Sequence, residues 1–273
     1  MALAVVIPAY NEAATIADVV TRTRRQLDWV IVVDDGSVDG TAEKLKELPV
    51  TLLRQEQNQG KATALWRGFD VALQQGASGV ITLDGDGQHR PEDIPRLLTA
   101  IDQNPQMIII ATRLGSRASM PRVRRFGNRI ADFWISWASG YPIRDTQSGF
   151  RYYPATLLQQ LDNTYDRQRS FVFESEILIE AAKLGYYARP VAIDSLYPEQ
   201  ARASHYRPFA DTLLIVRMVA GKLLARGLYL PGLLKSLGVL PVRGLQTATD
   251  NSHILDNSNK PDSNNPQGDK NET

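Results

Sequence analysis

Two aspartates separated by one residue, Asp84 and Asp86, stand in the stretch ITLDGDGQH. The residues before them, 80–83, favour a buried strand. Carboxylates just past the end of such a strand can project into the crevice where open α/β sheets bind ligands. Their hard oxygen atoms suit a divalent cation that also holds a substrate phosphate. The alternative interpretation is a turn of glycine and aspartate that only carries the chain away from the strand.

Apolar runs that alternate with helical patterns surround the two aspartates. Each run is almost entirely hydrophobic, as is typical of strands buried on both faces of a parallel sheet: 3–7, 30–33, 50–53, 80–83 and 107–111. The alternation predicts an α/β fold in which helices cover both faces of a mostly parallel, Rossmann-like sheet. Polar segments follow four of these runs and should meet at the carboxyl edge of the sheet: 8–12, 34–37, 84–89 and 112–117.

A cluster of arginines follows the fifth predicted strand. Its members are Arg113, Arg117, Arg122, Arg124, Arg125 and Arg129. The planar guanidinium group binds phosphate oxygens through two parallel hydrogen bonds. The cluster therefore indicates a phosphate-binding region, and the alternative is a solvated basic loop.

The C-terminal third contains a segment rich in leucine, residues 206–244, and then a polar tail, residues 245–273. On a helical wheel Asp211, Lys222 and Arg226 lie within about 60° of one another. This pattern fits a core or oligomer-interface helix, or a helix that lies in the plane of a bilayer with its basic residues near the headgroups. The tail is rich in Asn, Ser, Asp and Pro, which predicts disorder.

The overall composition excludes several classes of function. The 273 residues carry a formal net charge of +1, so bulk charge gives no reason to expect nucleic acid binding. The absence of cysteine excludes disulfides, thiolate metal sites and a thiol nucleophile, and it fits a reducing compartment. No uninterrupted apolar run approaches the length of about 18 residues that a spanning helix needs.

Five segments together resemble glycosyltransferase family 2, the inverting enzymes with the GT-A fold: VVIPAYNE, VVDDGSVDGT, NQGKATAL, TLDGDGQHRPEDI and DTQSGFR. Within that family the chain is most similar to the polyprenyl-phosphate sugar transferases, the branch of the dolichyl-phosphate mannose synthases. The resemblance predicts a catalytic domain over residues 1–205. The leucine-rich segment would follow as a separate membrane-surface or interface element.

The resemblance implies a donor site at the carboxyl edge of the sheet. The base and ribose of a nucleotide-sugar would be held by Pro8, Tyr10, Glu12 and Asp34, with Lys61 near the nucleotide. The resemblance also makes Asp84 and Asp86 an acidic motif that holds Mg²⁺ or Mn²⁺. Asp86 and Gln88 are the expected direct ligands, and Asp84 would contact the nucleotide or the water shell of the metal.

The resemblance further implies a phosphate site and an acceptor side. Arg113 and Arg129 would contact donor or acceptor phosphate, with Arg125 as a third arginine. Many relatives have Ser-Lys where this chain has Ser204-His205, so His205 would replace a lysine as hydrogen-bond donor to phosphate. Asp145 would be a base or a sugar contact near the acceptor, unless it only forms a turn.

These implications predict a metal-dependent, inverting transfer of a sugar from a nucleotide-sugar, of the GDP-mannose or UDP-glucose type, to a polyprenyl or dolichyl phosphate. The protein would act peripherally at the cytosolic face of a membrane. One alternative is a saccharide acceptor with Asp145 as the base. Others are a nucleotide-sugar-binding protein without catalysis, and a nucleotidyltransferase, which usually has a Gly-rich basic loop where this chain has PAYNE.

Overall fold

The computed structural model describes residues 1–112, 122–161, 172–193 and 208–242. The chain divides into one compact unit, Met1–Leu240, and a second unit, Pro241–Thr273, of which only residues 241 and 242 are described. The predicted domain boundaries after residues 205 and 244 lie outside the described residues and stay predictions.

The described residues form seven strands that join in one sheet. The strands are β1 Leu3–Ala9, β2 Val30–Asp34, β3 Thr51–Arg54, β4 Gly79–Thr82, β5 Ile108–Thr112, β6 Arg151–Pro154 and β7 Ala188–Ala192. Their order in the sheet is β3-β2-β1-β4-β6-β5-β7. All neighbouring pairs are parallel except those of β6, which is antiparallel to both β4 and β5. The predicted mostly parallel sheet is confirmed.

Helices connect the strands and cover the sheet. They are α1 Ile16–Arg24, α2 Thr41–Leu45, α3 Lys61–Gln74, α4 Ile94–Gln103, α5 Arg122–Ser139, α6 Ala155–Leu158, α7 Phe173–Lys183, α8 Pro208–Ala225 and α9 Leu230–Ser236. Every residue of β1 and β2 is buried, as the unbroken apolar runs predict. Helix α3 approaches β1 so closely that a Cβ on Gly68 would collide with Val6.

The antiparallel direction of β6 determines what lies beside the end of β4. Thr82, the last residue of β4, is paired with Arg151, the first residue of β6. The hydroxyl of Thr82 donates to the carbonyl of Gly149 at 2.8 Å. The segment that leads into β6 is therefore brought to the carboxyl end of β4, where the two aspartates are predicted to act.

Helix α8 packs against α5 and α7, and α9 packs against α5. Lys222 on α8 lies 2.7 Å from both Glu176 and Glu180 on α7. Arg226 donates to the carbonyl of Ala138 at 3.2 Å, and its guanidinium lies 3.8 Å from the ring centre of Tyr229. Both side chains thus bind the protein itself, which fits the alternative of a packed helix. The other alternative, a helix with its basic residues near lipid headgroups, stays a prediction.

Large apolar side chains nevertheless remain exposed on these two helices. They include Leu213, Leu214 and Leu224 on α8, Leu230 and Leu234 on α9, and Leu237 directly after α9. Over the described ranges, none of the helices combines the length and the apolar character that crossing a membrane requires.

Candidate functional site

The acidic turn that follows β4 is held by α1 and by its own backbone. Thr15 Oγ1 donates a hydrogen bond to the carbonyl of Gly85 at 2.8 Å. A Cβ on Gly85 would lie 3.2 Å from Ile16, so the turn packs closely on this helix. The N–H of Gln88 donates to Asp86 Oδ1 at 2.9 Å. Asp86 and Gln88 are therefore presented together, both partly exposed, at the carboxyl edge of the sheet.

Lys61 lies between two carboxylates beside this turn. Its Nζ is 2.7 Å from Asp84 Oδ1 and 3.2 Å from Glu174 Oε2. Burial lowers the pKa of Lys61, but the charges of Asp84 and Glu174 outweigh burial and hold that pKa above its ordinary value. Lys61 is thus a cation at neutral pH, in contact with both carboxyl groups.

The position of Lys61 is determined by a buried aspartate at the end of β2. Asp35 accepts hydrogen bonds at 2.8 Å from the N–H of Gln59 and of Gly60, and one at 2.6 Å from the amide of Gln55. Burial raises the pKa of Asp35, and the backbone donors offset this only in part. Because these bonds hold the two residues before α3, they determine where Lys61, its first residue, can reach.

The predicted nucleotide-binding residues at the ends of β1 and β2 are close together. Ala9 pairs with Asp34 in the sheet, and Tyr10, the residue after β1, is exposed. Asp34 is fully buried; its Oδ1 accepts from the N–H of Ser37, whereas Oδ2 accepts no hydrogen bond among the described residues. Arg54 Nε approaches that Oδ2 to 3.3 Å without hydrogen-bond geometry.

The other members of this set occupy neighbouring positions. The N–H of Glu12 donates to Thr41 Oγ1 at 2.8 Å, which ties the segment after β1 to α2. Pro8 lies within β1, paired with Val33 of β2. The structure therefore brings the predicted base-binding and ribose-binding residues to one edge, next to the acidic turn.

The loop Asp145–Gly149 lies against the acidic turn and is held by α5. Asp132 on α5 accepts hydrogen bonds from the N–H of Asp145 at 3.2 Å and from the N–H and hydroxyl of Thr146 at 2.9 and 2.7 Å. Burial raises the pKa of Asp132, and the bonds from Thr146 oppose that rise. A Cβ on Gly149 would lie 2.5 Å from Asp84 Oδ2, so only glycine allows this approach.

Asp145 itself adopts a left-handed backbone conformation, with φ at 55°. Aspartate tolerates this region better than most residues because its short side chain bonds locally. The turn role proposed for Asp145 is therefore present in the structure. Its role as a base or sugar contact stays a prediction.

Four residues of this region were not predicted as site residues: Asp35, Asp132, Arg151 and Glu174. Arg151 is a charge within an apolar strand pattern, and Glu174 stands in FVFESE between hydrophobic residues. A charged residue inside a buried pattern signals a specific partner. Some of the partners lie far away in the chain, as Glu174 does from Lys61, and sequence spacing does not reveal them.

The arginine cluster is described only in part. Arg125 and Arg129 lie one turn apart on α5, the helix that carries Asp132, and Arg129 is exposed. Arg113, Ser204 and His205 lie outside the described residues. The phosphate contacts expected of all five residues stay predictions.

The acidic turn provides oxygen ligands of the kind that Mg²⁺ and Mn²⁺ prefer. Mg²⁺ is commonly bound through one or two carboxylates together with phosphate oxygens and water. Asp86, Gln88 and the second carboxylate at Asp84 match this set. Within the described ranges, His, Cys, Asp and Glu side chains do not gather in threes as they would at a site made only from such ligands.

The family model described as Glycosyl transferase family 2 matches residues 4–164. One similar protein is the UDP-N-acetylglucosamine–dolichyl-phosphate N-acetylglucosaminyltransferase of Methanococcus voltae, 31% identical over 219 residues, which cover 72% of this chain and 87% of that protein. Another is the polyprenol monophosphomannose synthase of Mycolicibacterium smegmatis, 29% identical over 199 residues, which cover 69% of this chain and 75% of that protein.

A similar solved structure is glucosyl-3-phosphoglycerate synthase from Mycobacterium tuberculosis, crystallised with Mn²⁺, uridine diphosphate and glucosyl-3-phosphoglycerate. The match covers 82% of this chain and 79% of that chain, with a TM-score of 0.57 and 22% identity. At this identity the likeness concerns the fold alone, and it confirms the predicted GT-A fold.

Proposed function

Since the chain belongs to glycosyl transferase family 2, it is a glycosyltransferase, and we propose that it moves a sugar from a nucleotide-sugar to a polyprenyl or dolichyl phosphate. The observation that carries the proposal is the contact between Gly149 and Asp84, because it joins the proposed acceptor loop to the proposed donor site. The names of two similar proteins, one for dolichyl phosphate and one for polyprenol monophosphomannose, support the acceptor class.

The donor would occupy the edge formed by the ends of β1, β2 and β4. Tyr10, Glu12 and Asp34 would hold the base and ribose, since carboxylates accept hydrogen bonds from ribose hydroxyls and base N–H groups. The diphosphate would lie by the acidic turn, where Asp86 and Gln88, with Asp84, would hold Mg²⁺ or Mn²⁺. A divalent cation there offsets the charge that develops on the leaving nucleoside diphosphate.

The reaction needs little proton transfer when the acceptor is a phosphate. An oxygen of the acceptor phosphate attacks the anomeric carbon on the face opposite the diphosphate, so the new C–O bond forms as the old one breaks and the configuration inverts. The acceptor is already an anion at neutral pH, so positioning matters more than a strong base. Arg125 and Arg129 would position its phosphate, and Asp145 would contact the sugar.

The acceptor's lipid chain requires a nearby membrane surface. The exposed leucines of α8 and α9 would rest on the cytosolic face of the bilayer and hold the protein there peripherally. In this arrangement the apolar side chains provide the attachment, while Lys222 holds α8 to the catalytic domain.

The donor half of the proposal is tested by thermal unfolding with Mn²⁺ and a panel of nucleotide-sugars. The correct donor at 100 times its dissociation constant should stabilise the protein by about 2.7 kcal/mol, which corresponds to roughly 5–10 °C for a domain of this size. Asp86→Asn should remove most of the shift. A panel in which no donor raises the unfolding temperature with Mn²⁺ or Mg²⁺ would contradict the donor site.

The variant Asp145→Asn distinguishes a phosphate acceptor from a saccharide acceptor. With a phosphate acceptor we expect a modest loss of kcat, because no proton must be removed. A nearly complete loss of turnover with a saccharide acceptor would instead support Asp145 as a general base, whose removal typically costs about 10²–10⁴-fold.

A further inference from the structure

Arg151, the first residue of β6, is a fully buried cation. Its Nε donates to the carbonyl of Ser148 and its Nη2 to that of Thr146, both at 2.7 Å. Its Nη1 donates to the carbonyl of Glu174 at 2.6 Å and to the hydroxyl of Tyr153 at 3.2 Å. Among the described residues no carboxylate oxygen lies within 4.0 Å of the guanidinium. Hydrogen bonds to backbone carbonyls therefore provide most of the compensation for burying its positive charge.

These bonds connect two parts of the site that are distant in the chain. The carbonyls of Thr146 and Ser148 belong to the loop Asp145–Gly149, whereas Glu174 lies in the first turn of α7. One planar group thus holds the loop and the helix at a defined separation. Arginine suits this task because its fork of donors is rigid.

The connection continues from the backbone of Glu174 through its side chain. Glu174 Oε2 lies 3.2 Å from Lys61 Nζ, which is 2.7 Å from Asp84. Asp84 in turn lies against Gly149, in the loop that Arg151 holds. The contacts therefore form a closed ring that passes through both the proposed donor site and the proposed acceptor loop.

We propose that Arg151 is a positioning residue that couples the loop Asp145–Gly149 to the Lys61–Asp84 pair through Glu174. The names donor site and acceptor loop rest on the proposed function, but the coupling between these two parts of the structure does not. Burying a cation is costly unless its hydrogen bonds are satisfied. This role predicts that a change on one side of the ring alters the local stability of the other side.

The test compares Arg151→Lys with Tyr152→Phe as the matched control. Lysine keeps the charge but cannot reach three carbonyls in fixed directions. Tyr152 lies next in β6, packs in the core on the opposite face of the sheet, and loses one hydrogen bond, to the carbonyl of Pro105, when changed to phenylalanine. Both variants remove contacts of β6, but only Arg151→Lys removes the hydrogen bonds that join the loop Asp145–Gly149 to α7.

The first readout is amide hydrogen exchange in two segments, 59–64 and 146–149. With Arg151→Lys we expect exchange in both segments to accelerate roughly tenfold or more, because local opening becomes easier. With Tyr152→Phe, exchange in the two segments should change only as much as exchange in the rest of the protein. Equal acceleration in the two variants would overturn the proposal and leave Arg151 as a core residue.

A second variant keeps the test decisive if Arg151→Lys does not fold. Glu174→Gln preserves the backbone carbonyl that Arg151 binds, but removes the charge that faces Lys61. The coupling predicts faster exchange in segment 146–149, although no residue of that segment is changed. An effect confined to segment 59–64 would overturn the proposal.

The second readout is the affinity for Mn²⁺ alone, measured by electron paramagnetic resonance. Arg151→Lys should weaken Mn²⁺ binding several-fold, since Asp84 loses its fixed position, whereas Tyr152→Phe should leave it unchanged. In a transfer assay, Arg151→Lys should lower kcat more than it raises KM for the donor. If exchange is coupled but no sugar transfer occurs with any acceptor, the proposed function fails and the coupling stands.

Discussion

Lys61 joins two carboxylates that belong to different parts of the chain. Its ammonium group lies 2.7 Å from Asp84 and 3.2 Å from Glu174, and so holds both side chains in place. The proposed donor side of the site therefore already contains one cation, the Lys61 ammonium group. A diphosphate bound there as proposed would meet a charge that Lys61 sets in part.

The close approach of Gly149 to Asp84 predicts that adding one methyl group at residue 149 will disturb the site. In Gly149→Ala the new Cβ would lie 2.5 Å from Asp84 Oδ2, so Asp84 must move away from its place beside Lys61. We expect sugar transfer to fall roughly 10- to 100-fold, because displacements of this size at a reacting site carry such costs. Steady-state kinetics and thermal unfolding measured together provide the check.

Gly221→Ala is the matched control for that prediction. A Cβ at Gly221 meets no atom within 4 Å, and the residue lies inside α8. Alanine should stabilise the helix by about 0.5–1 kcal/mol and leave transfer unchanged. An active Gly149→Ala enzyme with an unmoved Asp84 would contradict the role assigned to this contact.

Residue types indicated where the candidate site lies, but not which side chains contact one another there. The acidic turn could be found because aspartates after a strand follow a local rule, whereas Lys61 was named only through the family resemblance. Glu174 could not be found, because it is 113 residues from Lys61 in the chain and only the packing of α7 brings it there. Asp132 was missed because only the packing of the loop Asp145–Gly149 on α5 brings it to Asp145 and Thr146.

At the scale of elements, α7 links the catalytic sheet to the C-terminal helices. Its first turn carries Glu174, which binds Lys61, while Glu176 in the same turn and Glu180 one turn later bind Lys222 of α8. The leucine-rich helix is therefore attached to the element that also supports the site. A strong ion pair at this place helps to determine where the exposed leucines lie relative to the sheet.

This attachment should depend on pH. Burial raises the pKa of Glu180, but hydrogen bonds from Lys183 and Lys222 outweigh burial, so its folded-state pKa lies below the ordinary value of 4.5. A lowered pKa stabilises the fold above the unfolded value, and the stabilisation is lost as the pH falls through the folded value. Lys222→Met should therefore cost about 1–2 kcal/mol at pH 7 and much less in acid.

Chemical denaturation at neutral and acid pH measures this difference. Arg217→Met, which removes a positive charge from an exposed position of the same helix, is the control and should change stability little at either pH. A Lys222→Met penalty that is the same at pH 7 and pH 3.5 would contradict the ion-pair account.

The order of elements was predictable, but the direction of β6 was not. Five apolar runs at regular spacing indicated parallel strands, and the structure confirms them within a few residues. The short run before residue 154 has the same composition whether it lies parallel or antiparallel, so periodicity alone does not give its direction. That direction is what brings the loop Asp145–Gly149 to the end of β4.

At the scale of the whole molecule, two regions meet at the acidic turn: the ends of β1 and β2, and the loop Asp145–Gly149. The C-terminal helices, which expose apolar side chains, are tied to this site through α7. The sequence indicated each region separately. The links through Lys61, Glu174 and Lys222 follow from the three-dimensional structure alone.

The most direct test of the account is transfer of labelled sugar into a lipid phosphate. The full-length protein is incubated with Mn²⁺, the donor selected by thermal shift, and vesicles that contain a polyprenyl phosphate. We predict label in the lipid-phosphate fraction, with inverted configuration at the anomeric carbon, and its loss in Asp86→Asn at an unchanged unfolding temperature. Label that instead enters a soluble saccharide, or that reaches the lipid equally well in Asp86→Asn, would contradict the account.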